Sequence, residues 1–130
     1  MDRTDVNPWE WSKAFGFSQA VELTRAERIL ICSGQTGIGE DGSPPVTADM
    51  GEQVKKAFQN LGEVLHTAGF SATDVVKVNY YTTDVDDLLS VLGPLSAAFF
   101  GNNLPASTLL GVARLAFPQL RIEIEATAAR

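Results

Sequence analysis

One cysteine and one histidine are all that this chain offers to redox or soft-metal chemistry. A lone thiol cannot close an internal disulfide. Cys32 and His66 stand too far apart in sequence for metal-ligand spacing, so no metal site is expected. Cys32 lies in the apolar run Ile29-Leu-Ile-Cys-Ser33, which reads as strand interior and favours an inert buried thiol. Basic residues are scarce as well: 10 Lys and Arg face 16 Asp and Glu, a formal charge of −6, and Lys55-Lys56 is the only adjacent basic pair. That balance opposes a phosphate backbone, so nucleic acid is not an expected partner. No apolar run approaches the ~20 residues that cross a bilayer, so no membrane segment is expected. The stretch from Met1 to Trp9 has no apolar signal core, which makes a cytoplasmic protein the expectation.

What is present is 130 residues, 45% apolar and 20% charged, enough for one core and too little for two. A single domain over residues 1–130 follows, with an N-terminal arm over residues 1–15. Gln19–Leu23 and Arg28–Ser33 are short apolar runs separated by polar Thr24-Arg-Ala-Glu27, a pattern that predicts a hairpin. Gly34, Gly37, Gly39 and Gly42, followed by Pro44-Pro45, predict a loop with at most one short strand. Their spacing does not fit a phosphate-binding fingerprint. Asp49-x-x-Glu52 predicts a helix start, and Val54, Ala57, Phe58, Leu61, Val64, Leu65 and Ala68 recur at helical spacing up to the stop at Gly69. His66 falls off that stripe and reads as a solvated side chain.

Asp74–Thr83 is rich in β-formers, with Val76, Val78 and Tyr80 on one face and Lys77, Asn79 and Tyr81 on the other. Asp84 or Asp86 then caps a second helix with Leu88, Leu92, Leu95 and Phe99 inside, and Gly93-Pro94 predicts a kink or split near Val91. Two closing strands follow, Pro105–Leu115 and Arg121–Ala126. The order ββαβαββ supplies two helices for one sheet. This predicts an α+β fold with a mixed β-sheet and both helices on one face, leaving the other face for self-association.

On the last strand, Leu120, Ile122, Ile124 and Ala126 point one way, and Arg121, Glu123, Glu125 and Thr127 the other. Two carboxylates at that spacing raise each other's pKa unless solvated or paired. One reading is a solvated or subunit-facing edge; the other is a glutamate that holds a water or moves a proton. Trp9-Glu-Trp11 presents two rings on one face if extended, either covering a pocket or subunit seam, or anchoring the N-terminus in the core.

Taken in order, Ser33-Gly-Gln35, Ala68-Gly69, Asp74-Val-Val-Lys77, Thr82-Thr-Asp84, Ala98-Phe-Phe100, Pro105-Ala106, Val112-Ala-Arg-Leu115 and Glu123-Ile-Glu-Ala126 resemble the RidA (YjgF) family of enamine/imine deaminases. The likeness runs from Gly16 onward. The resemblance implies a chorismate-mutase-like protomer, a homotrimer with small-molecule clefts between subunits, and cofactor-independent hydrolysis of imines to 2-oxo acids and ammonia. In the deaminases a motif arginine pairs with the substrate carboxylate, and a glutamate positions the attacking water.

Carried over by position, Glu123 falls on that glutamate and Gly34 on the glycine whose backbone lines the pocket. Phe17 stands where the deaminases have a tyrosine, Ser107 where they have the arginine, Leu109 where they have a cysteine, and Gly111 where a glutamate is usual. One extra residue lies within Ala116-Phe-Pro-Gln119. Arg114, an odd number of positions from Ser107, points to the opposite strand face. Arg121 shares the face of Glu123 and is the better substitute cation. A lost bidentate carboxylate anchor costs about 2–5 kcal/mol, so the expectation turns from substrates with a free carboxylate. Three readings result: an imine or enamine hydrolase centred on Glu123, a silent relative that binds a small metabolite, and, less favoured, the endoribonuclease of the family's older label. The last lacks a histidine pair and phosphate-stabilising cations.

Overall fold

The computed structural model describes residues 1–130 throughout. Along the chain come strand β1 (Asp2–Val6), a single helical turn α1 (Trp11–Ala14), strands β2 (Ala20–Thr24) and β3 (Ile29–Ile31), and helix α2 (Met50–Thr67). Strand β4 (Val75–Thr82), helix α3 (Val85–Phe100), and strands β5 (Ala106–Gly111) and β6 (Ile122–Ala129) complete it. Four strands form one mixed sheet in the order β3-β6-β4-β5, while β1 and β2 make a separate antiparallel pair. Only β4 and β5 run parallel, and α3 is the crossover that such a pair requires. Both long helices pack on one face of the four-stranded sheet, the α+β arrangement that two helices and one sheet predict. No helix is long and apolar enough to cross a membrane.

The helices form for local reasons. Asp49 accepts the amide of Glu52 at 2.8 Å and so satisfies one of the donors that a helix start leaves unpaired. Val54, Ala57, Phe58, Leu61 and Leu65 form the buried stripe of α2, and Gly69 ends it with a left-handed φ of 80°. Asp84, rather than Asp86, caps α3 through the amide of Asp87 at 3.0 Å. Pro94 does not split that helix: α3 runs through it for 16 residues, at the expense of the amide that would have bonded the Ser90 carbonyl. On β6, and on β4 from Val78 onward, the predicted alternation holds, with Val78, Tyr80, Ile122, Ile124 and Ala126 buried against the helices. At the start of β4 a bulge between Val75 and Lys77 breaks it and puts Val75, not the expected Val76, into the core.

The hairpin predicted from Gln19–Leu23 and Arg28–Ser33 does not form. β2 pairs instead with β1, Asp2 opposite Thr24 and Val6 opposite Ala20, whereas β3 pairs with β6, Ile29 opposite Ala129. Between them Arg25 takes a φ of 57°, and the amides of Glu27 and Arg28 both donate to the carbonyl of Arg130. The turn therefore passes the chain from one sheet to the other. β1 escaped the sequence reading because Asp-Arg-Thr-Asp-Val carries no apolar alternation. It is held by polar contacts: Arg25 with Asp2, and Arg3 reaching the carbonyls of Val75 and Leu104 at 3.4 and 3.3 Å.

One polar side chain sits within the apolar stripe of α2. Gln53 is buried, its Nε2 donates to the carbonyls of Thr47 and Gln119, each at 2.9 Å, and its Oε1 accepts the amide of Arg121 at 2.9 Å. Those three bonds fasten the loop ahead of α2 and the loop ahead of β6 to one helix, and they set where β6 begins.

Candidate functional site

β6 lies between β3 and β4, so Glu123 and Glu125 stand in the middle of the sheet's outer face. Register places Glu123 opposite Tyr81 and Glu125 opposite Asn79. Glu125 is held in place: Asn79 Nδ2 donates to its Oε1 at 3.0 Å and the Tyr81 hydroxyl donates at 3.1 Å. That bond to Glu125 is the main reason the Tyr81 phenol is pushed up from its ordinary pKa. Glu123 lacks any such partner in its own chain. Burial first, and the charge of Glu125 second, raise its carboxyl above the usual carboxylate value. A carboxylate so raised, and free of internal bonds, is equipped to accept a proton from water.

The loop after β3 sets the surroundings of that carboxylate. Cys32 donates to the Ala126 carbonyl at 3.0 Å, and Gln35 exchanges bonds with Ile124 at 2.7 and 2.8 Å, so Ser33 and Gly34 run beside the middle of β6. A β-carbon at Gly34 would lie 2.6 Å from the Cδ of Glu123 and overlap its Oε1. Glycine is needed here for that approach, since its φ is not in the left-handed region.

Phe17, Ser107 and Leu109 come together elsewhere. They line a cleft of about 840 Å³ between α1, α3 and the β4–β5 edge. Ser107 pairs with Val78 and Leu109 with Tyr80, both on the helix-bearing face. Trp11 stands at the mouth, 55% exposed, with its ring 5.7 Å edge-on from Phe17 and 6.2 Å from Phe15. Trp9 is 58% exposed and does not line the cleft, so neither tryptophan anchors the N-terminus in the core. Lys13 is the one charged side chain on the cleft wall. Sequence reasoning passed over it because it precedes the motifs that carry the family likeness.

Arg121 is committed away from both places. Its guanidinium lies 2.7 Å from Asp87 and 3.4 Å from Asp84, and donates to the Ala48 carbonyl at 3.0 Å. Arg114 is exposed in the loop after β5. No three His, Cys, Asp or Glu side chains converge in a way that would hold a metal. The candidate residues thus fall into two groups on opposite faces of one sheet: Glu123 with Gly34 outside, Phe17 with Ser107 and Leu109 under the helices.

The model of the family described as Endoribonuclease L-PSP matches residues 11–130. The chain belongs to the RidA (YjgF) family. It is 38% identical to the 2-iminobutanoate/2-iminopropanoate deaminase of Rattus norvegicus over 112 residues, 86% of this chain and 78% of that one. It is 34% identical to RutC family protein PH0854 of Pyrococcus horikoshii, over 86% of this chain and 85% of the relative. Among solved structures, the Yersinia pestis protein YyfB, described as a Rid-family protein of unknown function, superposes with a TM-score of 0.88 at 35% identity, covering all of both chains. The YjgF gene product of E. coli gives 0.69 at 30% identity, over 88% of this chain and 87% of that one. The likeness to YyfB covers the whole chain, so it includes the N-terminal segment of β1, α1 and β2.

Proposed function

We propose that this RidA-family protein hydrolyses an imine or enamine without a cofactor, in a cleft completed by two copies of the chain. Water adds to the carbon of the C=N bond, nitrogen leaves as ammonia after taking up protons, and a carbonyl compound remains. Glu123 positions the water and accepts its proton. Its raised pKa, lack of internal partners and close approach to Gly34 support that role. The observation that carries the reading is the division of the candidate residues between two faces of one sheet. A cleft holding both Glu123 and Ser107 needs the outer face of one protomer against the helix-side cleft of another, as the trimer implied by the family resemblance would supply. The name of the rat relative supplies the reaction class.

A second reading has its own observation: the motif arginine is Ser107, which offers one hydroxyl and no charge. A member that binds a metabolite in this cleft without turnover fits that loss. Endonucleolytic chemistry fits less well, because the outer face presents two carboxylates where a phosphate would need cations.

The test generates 2-imino acids with an amino-acid oxidase and follows oxo-acid and ammonia release. Hydrolysis by wild type, reduced about 10²- to 10⁴-fold in Glu123→Ala, supports the first reading. Saturable binding without turnover, with activity gained in Ser107→Arg, supports the second.

A further inference from the structure

The cleft beside Ser107 has a chemical bias of its own. Of the 19 residues on its wall 12 are hydrophobic, and its volume of about 840 Å³ suits a small ligand. Phe17, Leu92, Phe100 and Leu109 form apolar walls, and no acidic residue of the same chain lines it. The single charge, on Lys13, comes from α1 at the rim beside Trp11 and Phe15. Its Nζ lies 2.9 Å from Glu10, but that pair is exposed, with 48% of the lysine and 80% of the glutamate side chain open to solvent. Exposed pairs of this kind are weak, so the ammonium is available to a competing anion.

We infer that the cleft selects an amphipathic anion: a 2-imino acid, or the 2-oxo acid it yields, with a branched or aromatic side chain against the apolar wall and its carboxylate on Lys13. The identity of the acid rests on the reaction proposed above; the amphipathic pattern rests on the cleft alone. Lys13 then stands in for the motif arginine from a different element. A lysine ammonium is a point charge on a flexible stem, so it holds a carboxylate with less orientation than a guanidinium fork. The apolar wall must therefore do more of the selecting.

Calorimetric titration with 4-methyl-2-oxopentanoate, pyruvate and uncharged 4-methyl-2-pentanone separates these contributions. The branched acid carries three more carbons than pyruvate. At three- to fourfold per buried carbon, it binds some tens of fold more tightly. Lys13→Met weakens the branched acid by about tenfold, leaves the ketone unchanged, and removes the salt dependence of binding. Gly93 lies on the α3 wall with nothing within 4 Å of an added β-carbon, so Gly93→Leu keeps the fold and abolishes binding of acid and ketone alike.

Equal affinity for pyruvate and the branched acid, or indifference to Lys13→Met in a protein with an unchanged melting temperature, overturns the inference. Parallel turnover of the imines of alanine and leucine keeps the two proposals apart. Binding as described with no imine hydrolysed retains the cleft assignment and removes the reaction. Hydrolysis insensitive to side-chain size and to Lys13 does the opposite.

Discussion

A β-carbon at position 34 and the carboxyl group of Glu123 cannot occupy the same place. Since the obstructing atoms are the end of a flexible side chain, Gly34→Ala is relieved by rotation of Glu123 and not by movement of the sheet. The expected result is a melting temperature close to wild type with imine hydrolysis lowered about 10²-fold, the cost of a roughly 1 Å misplacement. Activity measured beside thermal unfolding checks both halves. Wild-type activity in Gly34→Ala would mean that Glu123 does not need its present position. The raised pKa of Glu123 gives a second expectation, with a sign that follows from linkage. The folded protein holds this proton more tightly than the unfolded chain does. Its ionisation therefore opposes folding, an effect absent below the unfolded carboxyl pKa of ~4.3 and growing as pH rises through the raised folded value. Glu123→Gln removes that ionisation. The variant should melt above wild type at pH 7, with the difference closing by pH 4, while hydrolysis is lost at both. A stability difference that stays constant with pH would show that the carboxyl does not titrate abnormally.

At the scale of elements, α2 does more than cover the sheet. Gln53 ties the approach to α2 and the approach to β6 to the same turn of helix. Gln53→Leu fits the volume but strands two carbonyls and one amide. A loss of about 1–3 kcal/mol is expected, read as a lower urea midpoint with unchanged m-value. A slackened start of β6 would also reach Glu123, two residues beyond the Arg121 amide. The stripe of α2, its Asp49 cap and its Gly69 stop were all legible, because helical periodicity is a local signal. Gln53 was not: it occupies a position where the stripe calls for an apolar residue, and its partners lie in two distant loops. The same contrast separates β4 from β1. Val-Val-Lys-Val-Asn-Tyr-Tyr-Thr declares a strand with one buried face, whereas Asp-Arg-Thr-Asp-Val is fixed by cross-chain pairing and by Arg3, neither visible as pattern. β3 misled for a related reason. Its apolar run is real, but the choice of β6 over β2 as partner is made by the left-handed turn at Arg25 and by the carbonyl of Arg130 at the far end of the chain.

For the whole molecule, the decisive feature is that the two groups of candidate residues are back to back. Alternation along β6 and β5 was legible in the sequence, but which face of one strand corresponds to which face of the other required the register through β4. Val78 lies opposite Ser107, and Tyr81 opposite Glu123. A sheet with side chains on both faces cannot fold these two positions together within one chain, so any catalysis that uses both must be shared between copies. Mixed assemblies test this directly. Glu123→Ala retains an intact Ser107 cleft, and Ser107→Trp, which plugs the cleft, retains an intact Glu123. Each homo-oligomer should be inactive. When the two are co-expressed with different tags and isolated as mixed oligomers, each shared site draws its halves from neighbouring chains. In a mixed trimer one of the three shared sites receives both intact halves, so roughly a third of wild-type activity should return. Inactive mixed oligomers, beside homo-oligomers of the same size and stability, would mean that chemistry does not pass between Glu123 of one chain and the Ser107 cleft of the next.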